Sequence, residues 1–241
     1  MKRRALVTGG ASGIGKAIVR RLASDGFHVV NVDRDGDLLG RVTQEMRAAG
    51  LSVEDKVVDL TDEAGVRALI DGLPPLQALV NNAGLFNERA FFDVNADDHR
   101  RMYEVNLIAV STLTQAAARH MSRGAKIVNI ASRAYLGAKN HAHYVASKAA
   151  LVGYTRASAM ELAPKGILVN AIAPGLIDTP LLQALSPERL AGQLALQPTG
   201  KAGKAEDIAH AVSFLADPGM DFITGQVLFV DGGKSLGGSG A

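Results

Sequence analysis

No cysteine occurs anywhere in the chain. That absence excludes a disulfide framework, an iron–sulfur cluster and a thiolate nucleophile, and nothing here demands an oxidising compartment. Charge of one sign is also lacking: Lys plus Arg number 26 against 24 Asp plus Glu, a net charge of +2. So small an excess, with no basic block interleaved with aromatics, argues against a nucleic-acid partner. KRR, at Lys2 to Arg4, reads as a solvated start to the first strand. No stretch approaches the ~20 apolar residues of a membrane span. MKRRALVTGG begins basic, but no sustained apolar run follows, so a signal peptide is not expected. The expectation is a soluble, cytoplasmic protein. No dividing linker and no internal repeat is evident.

What is present is enough for one large core: 241 residues, 47% hydrophobic and 21% charged. Short apolar runs (RALVTGG, FHVVNVD, LSVEDKVVDL, LQALVNNAG, AKIVNIAS, GILVNAIAPG, GQVLFVDGG) alternate with segments of helical spacing. Those segments include IGKAIVRRLASDG, DLLGRVTQEMRAAG, TDEAGVRALIDGL with Thr61 or Asp62 near its cap, and EDIAHAVSFLA. Ala96 to Ser122 and His143 to Ala163 each read as one long helix. Near-continuous hydrophobic strands are the mark of parallel strands covered on both faces. The predicted fold is a single doubly wound Rossmann-type α/β domain over residues 1–241, with about seven parallel strands. One segment breaks the rhythm. Residues 176–205 are long for a loop and should carry one or two short helices. They follow the sixth strand, where open sheets place a ligand-facing lid. Leu176, Leu181, Leu182 and Leu185 would give that lid an apolar inner face. The tail GKSLGGSGA is of low complexity.

TGGASGIG, Thr8 to Gly15, sits directly after a strand and before a helix. This is the context a dinucleotide fingerprint requires. Gly9 allows the turn, Gly13 leaves no Cβ in the way of a pyrophosphate, and Gly15 lets helix and sheet pack closely. The helix amino terminus then offers free N–H groups to phosphates. Asp33 lies 18 residues past Gly15, at a strand end. A carboxylate there can accept both hydroxyls of an adenosine ribose and would repel a 2′-phosphate, so NAD is the expected cofactor. Arg34 beside it would stack on adenine or meet a phosphate.

YVASK places Tyr144 and Lys148 on one helical face. A phenol is a poor base at its reference pKa of about 10, and a nearby ammonium would lower that value. His141 and His143 precede the pair, as turn and helix cap or as pocket lining. No third ligand at sensible spacing makes them a metal site. Tyr135 and Arg133 lie just past Ser132. Tyr135 lines the pocket or covers the turn, and Arg133 leaves an acidic substrate group open.

With TGGASGIG, Asp59, NNAG and YVASK together, nearly the whole chain resembles the short-chain dehydrogenase/reductases. The likeness is to members acting on secondary alcohols and ketones, 3-oxoacyl reductases among them. The resemblance implies catalytic roles for Asn106, Ser132, Tyr144 and Lys148. It implies cofactor contacts at Gly9, Ser12, Gly13, Ile14, Gly15, Asp33, Arg34, Asp59, Leu60, Asn81, Ala83 and Gly84. Tyr144 and Lys148 would also face the nicotinamide ribose. APGLIDT would close over the nicotinamide with Pro174, Gly175, Ile177 and Thr179. Asn106 would anchor a water that relays protons toward Lys148. The same resemblance implies a homotetramer built across the two long helices and the last strand. One departure stands out: Ser132 and Tyr144 are 12 residues apart, one fewer than is usual in the family. The missing residue falls in a wall of the substrate site. The expected activity is an NAD-dependent oxidoreductase passing a hydride between nicotinamide and a secondary alcohol or ketone. The alternative is an NADP-dependent 3-oxoacyl-carrier reductase. A regulator that merely keeps the fold would have no need of Ser132, Tyr144 and Lys148 together.

Overall fold

Seven of the apolar runs pair into one parallel sheet. The computed structural model describes residues 3–183 and 185–237. In chain order the first half is β1 (Arg4–Thr8), α1 (Gly13–Ser24), β2 (His28–Asp33), α2 (Gly36–Ala48), β3 (Val53–Val57), α3 (Glu63–Asp71) and β4 (Ala78–Asn81). The second half is α4 (Ala96–Tyr103), α5 (Ala109–His120), β5 (Lys126–Ile130), α6 (Ala142–Leu162), β6 (Leu168–Pro174), β7 (Ile177–Asp178), α7 (Pro180–Gln183), α8 (Pro187–Ala195), β8 (Gly203–Lys204), α9 (Ala205–Ala216) and β9 (Val227–Val230). The sheet order is β3-β2-β1-β4-β5-β6-β9.

The order of the strands locates the site. From β1 the chain moves outward to β2 and β3, then crosses back to lay β4 on β1's other side. The connections leaving β1 and β4 therefore diverge to opposite faces and open a crevice at the strands' carboxyl ends, where ligands bind in such sheets. Two cores cover the faces. One packs Ile18, Val19 and Leu22 of α1 and Ile208 and Val212 of α9 against Val7 and Val29. The other packs Val66, Leu69, Leu113 and Ala117 against Leu6, Leu79 and Ile127.

Local sequence explains most element starts. Asp35 caps α2 by accepting from the Leu38 amide, and Asp62, rather than Thr61, caps α3 by accepting from the Ala64 amide. The helix expected from Ala96 to Ser122 is interrupted. Between α4 and α5, residues Glu104–Ile108 form a π-helical turn, and it carries the fully buried Asn106. One extra residue in the turn is the usual way to redirect a side chain within a helix, and it occurs often at functional sites. Residues 176–205 carry α7 and α8, and β7 pairs with β8 as a separate two-stranded parallel ribbon. A cavity of about 340 Å³ under this segment is lined by Leu176, Ile177, Thr199, Lys201, Asp207 and Asp231, among others. Leu182 is buried and Leu185 half-buried. The Leu181 side chain and tail residues 238–241 lie outside what the structure describes.

Candidate active site

β1 ends at Thr8, and its hydroxyl accepts the amides of Asn82 and Ala83. The Asn82 side chain returns two bonds, donating to the carbonyls of Thr8 at 2.9 Å and Gly9 at 3.1 Å. The glycine turn is thus clamped to the loop after β4. Gly13 has φ +50°, and a Cβ on Gly15 would stand 2.0 Å from the Gly9 carbonyl oxygen, so neither tolerates a side chain. At the start of α1, the Ser12 side chain makes no cap bond and the first turn has no acidic residue. Its leading amides are left for an anion. Thr179 Cγ2 lies 3.8 Å from where a Gly13 Cβ would be, so the strand after β6 reaches across to this turn. These residues fit a dinucleotide pyrophosphate.

Asp33 is half-buried, and its carboxylate is already engaged. Oδ2 accepts from the Ala11 amide at 3.1 Å, and Oδ1 accepts from the Asp35 amide at 3.2 Å. Arg34 is exposed and near enough to Asp59 to help hold that carboxyl below its ordinary range, although the chief causes are the Thr61 amide and hydroxyl. Asn81 is buried. Its amide donates to Thr114 Oγ1 at 3.1 Å and Asn129 Oδ1 at 2.8 Å, tying β4 to α5 and β5. On the other side of the crevice, the Gly175 amide donates to Val230 and Ile177 is buried.

Four residues converge beyond the glycine turn. Lys148, buried on α6, donates from Nζ to the Ile130 carbonyl at 2.9 Å and lies 5.9 Å from the centre of the Tyr144 ring. A Cβ on Gly84 would fall 3.2 Å from Asn106 Oδ1 and 3.4 Å from Lys148 Nζ, so the loop threads between those two side chains. Asn106 accepts the Leu85 amide at 2.7 Å and donates to the Leu85 carbonyl and to Ser147 Oγ at 3.0 Å. Its side-chain amide therefore binds backbone and the hydroxyl next to Lys148. Ser132 follows β5, and its Oγ accepts from the Ala134 amide. The four implied catalytic residues thus come from the ends of three elements that the sheet brings together.

Burial sets the proton affinities. It pushes the Tyr144 phenol up, and the Ser132 hydroxyl beside it pulls the other way. Burial also brings the Lys148 ammonium down to about 8. The phenol lowered by Lys148 that the sequence suggests is not what the geometry gives: burial of the phenol dominates, and the one group pulling the value down is Ser132. Tyr144 stays protonated at neutral pH.

Aromatic and polar neighbours missed by motif reading complete the wall. Phe86 packs edge-on to Tyr144 and stacks on His141, with both ring pairs 5.0 Å apart. His143 is fully buried, with Nε2 bonded to Asn87 Oδ1. It is neither a cap nor exposed lining, but ties α6 to the loop after β4. Tyr135 stacks on Phe229. Thr8 and Asn82 lie in the motifs TGGASGIG and NNAG, but their bonds to each other's loops, like the tie from Ser147 to Asn106, join residues distant in sequence.

A family model described as enoyl-(acyl carrier protein) reductase matches residues 9–235. The chain belongs to the short-chain dehydrogenase/reductase family. It is 42% identical to (2S)-[(R)-hydroxy(phenyl)methyl]succinyl-CoA dehydrogenase subunit BbsD of Thauera aromatica, over 96% of each chain. It is 35% identical to 3-oxoacyl-[acyl-carrier-protein] reductase FabG of Escherichia coli, over 96% of this chain and 97% of the other. Among solved structures, a blue fluorescent protein from a metagenomic library, in complex with NADPH, superposes with TM-score 0.89 at 37% identity, covering 96% of this chain and 97% of that one. A short-chain dehydrogenase from Burkholderia cenocepacia, in complex with NADP, superposes with TM-score 0.90 at 36% identity and the same coverage. Chains of this family are oxidoreductases that use a nicotinamide cofactor on CH–OH and C=O groups, and this chain is one of them. The expectation of NAD is corrected by these two cofactor-bearing neighbours, which hold NADPH and NADP. The physical reason is at the end of β2: both Asp33 oxygens accept backbone amides, which offset the carboxylate charge, while exposed Arg34 adds a cation.

Proposed function

We propose that this protein is an NADP(H)-dependent reductase of 3-oxoacyl thioesters. The observation that carries the reading is the near full-length similarity to 3-oxoacyl-[acyl-carrier-protein] reductases, together with the NADP(H)-bound neighbours. A phenol kept protonated by burial is ready to give its proton to a substrate oxygen. A serine hydroxyl and a phenol side by side suit a carbonyl oxygen, which accepts from both, better than an alkene carbon, which accepts from neither.

In this reading the amides of α1 and the glycine turn hold the pyrophosphate, and Arg34 meets the 2′-phosphate. Asp59, Leu60, Asn81, Ala83 and Gly84 lie along the adenosine half, and Pro174, Gly175, Ile177 and Thr179 along the nicotinamide. The bound cofactor would supply the hydride. Ser132 and Tyr144 orient the carbonyl oxygen, Tyr144 protonates it, and Lys148 holds the charge that lets the phenol recover its proton. Asn106 fixes Ser147 and the loop at Leu85, and so the position of Lys148. Residues 176–205 close over the substrate as a lid. Steady-state assays at 340 nm with an acetoacetyl thioester test this. NADPH should exceed NADH in kcat/KM by about tenfold or more, which needs only ~1.4 kcal/mol. Arg34→Ala should erode that preference by raising KM for NADPH. Equal use of both cofactors by wild type would refute the Arg34 assignment, and no turnover of the thioester would refute the substrate class.

A further inference from the structure

The wall of the site formed by the turns after β5 and β9 carries two cations that the chemistry above leaves unused. Arg133 follows Ser132 in a 3-10 turn over Arg133–Leu136, and Lys234 opens a second one over Lys234–Leu236. The Tyr135–Phe229 stack, with ring centres 5.8 Å apart, fastens the first turn to β9 and so to the second. Arg133 spends one Nη on the Gly137 carbonyl at 3.3 Å, while its Nε–H is buried without a partner. A buried donor left unmatched is costly unless something arrives to accept from it. Among the described residues, neither Arg133 nor Lys234 forms an ion pair. The turns that carry them are joined through the Tyr135–Phe229 stack, and the two cations are near enough to feel each other: burial first, then Arg133, push the Lys234 ammonium below its ordinary value, and Asp231 opposes them. Asp231 is a poor counter-ion for both. Its Oδ1 accepts from the Gly233 amide at 3.0 Å and its Oδ2 from the Ser235 amide at 2.7 Å, which fixes it as the staple of its own turn.

Two half-buried cations on joined turns, one of them directly after Ser132, repel each other unless an anion joins them. We propose that Arg133 and Lys234 form a carboxylate subsite, so that the preferred substrate carries a free carboxylate on its acyl chain, beyond the carbonyl held by Ser132 and Tyr144. A guanidinium and an ammonium at one edge suit a planar carboxylate, with Arg133 fixing its orientation and Lys234 supplying charge. The inference rests on the reductase reading, since it names the substrate class of that same site.

The test compares a 3-oxoacyl N-acetylcysteamine thioester ending in a carboxylate with the methyl ester of the same molecule, both with NADPH. Wild type should favour the acid in kcat/KM by about tenfold or more, the scale of one charge-assisted hydrogen bond. Arg133→Met and Lys234→Met should each collapse the acid-to-ester ratio toward one, and Lys234→Arg should keep it. The ratio is the readout, so a general loss of activity does not imitate the effect. NADPH fluorescence on binding reports that each variant is folded. Equal use of acid and ester by wild type overturns the subsite and leaves the reductase reading standing. Turnover of neither overturns the reductase reading, and calorimetry of glutarate with the NADPH-bound enzyme then decides the subsite. Binding that both methionine variants abolish supports it, and no binding to wild type ends it.

Discussion

Tyr144 and Lys148 show how one environment gives two residues opposite assignments. Both are desolvated, so the acid is held in its protonated form and the base is pushed toward its neutral one. Tyr144→Phe removes only the hydroxyl. It should leave NADPH affinity within about twofold and cut kcat by 10²–10⁴-fold, the usual contribution of an acid–base group. Single-turnover rates with a cofactor-affinity control would check this, and retention of more than about a tenth of kcat would sink the assignment. Lys148 also leaves a mark on stability. Its folded value of about 8 lies below the ordinary lysine value of 10.5, so between those two values the unfolded chain binds more protons than the folded one. Stability from this group is therefore lost as pH falls through 8 and is recovered as pH rises toward 10.5. Relative to Lys148→Met, wild type should gain thermal stability as pH rises from about 7.5 to 9.5, with a slope of at most ~1.4 kcal/mol per unit. Parallel curves across that range would contradict the burial of a titrating ammonium.

At the scale of elements, the π turn between α4 and α5 and the segment 176–205 do the positioning. The π turn sets Asn106 against Leu85 and Ser147, and this couples the loop after β4 to α6. That loop also bears Glu88, whose carboxylate accepts from Arg189 of α8 at 2.8 and 3.1 Å. The pair bridges the proposed lid to the opposite lip of the crevice. Both side chains are largely exposed, so the bond is worth only ~0.2–1 kcal/mol. Arg189→Ala should therefore leave the melting temperature nearly unchanged while lowering kcat/KM by at most about fivefold. The deficit should disappear in about 1 M salt, where wild type loses the same contact. A deficit untouched by salt would mean that Arg189 acts by packing.

The whole molecule leaves apolar surface in a pattern that suits assembly. Phe222 and Leu228 are exposed around the edge strand β9, Phe214 on the adjoining α9, and Met160 on α6. An edge strand with an exposed leucine, preceded by an exposed phenylalanine, invites a second copy. The expected state is a homotetramer in which one interface joins the β9–α9 edges and another the α5–α6 faces. Light scattering at micromolar concentration should give the mass of four chains for wild type and of two for Phe222→Asp/Leu228→Asp. A monomeric wild type would dismiss the assembly. Among the described residues no helix is long and apolar enough to cross a membrane.

The sequence alone determined what short range controls. Parallel strands buried on both faces must be continuous apolar runs, so seven strands could be read directly, and the crossovers between them had to be helices. TGGASGIG could be read because its glycines recur at fixed offsets in a short turn between a strand and a helix. Tyr144 and Lys148 could be paired because four residues make one helical turn. Tertiary structure decided whatever depends on partners distant in the chain. Asn106 sits in a π turn because its amide meets Leu85 and Ser147, which no periodicity reveals. Asn82 matters because β1 and β4 are neighbours only after the crossover. Asp33 argued for NAD on its charge alone, and the Ala11 amide, 22 residues away, that offsets that charge could not be read from the sequence. Tyr144 read as a lowered phenol until burial showed it raised. Arg133 and Lys234, separated by 101 positions, lie on turns that are joined only because β5 and β9 flank β6 and Tyr135 stacks on Phe229. Periodicity is a property of neighbours along the chain, whereas charge, solvation and hydrogen-bond satisfaction belong to neighbours in space.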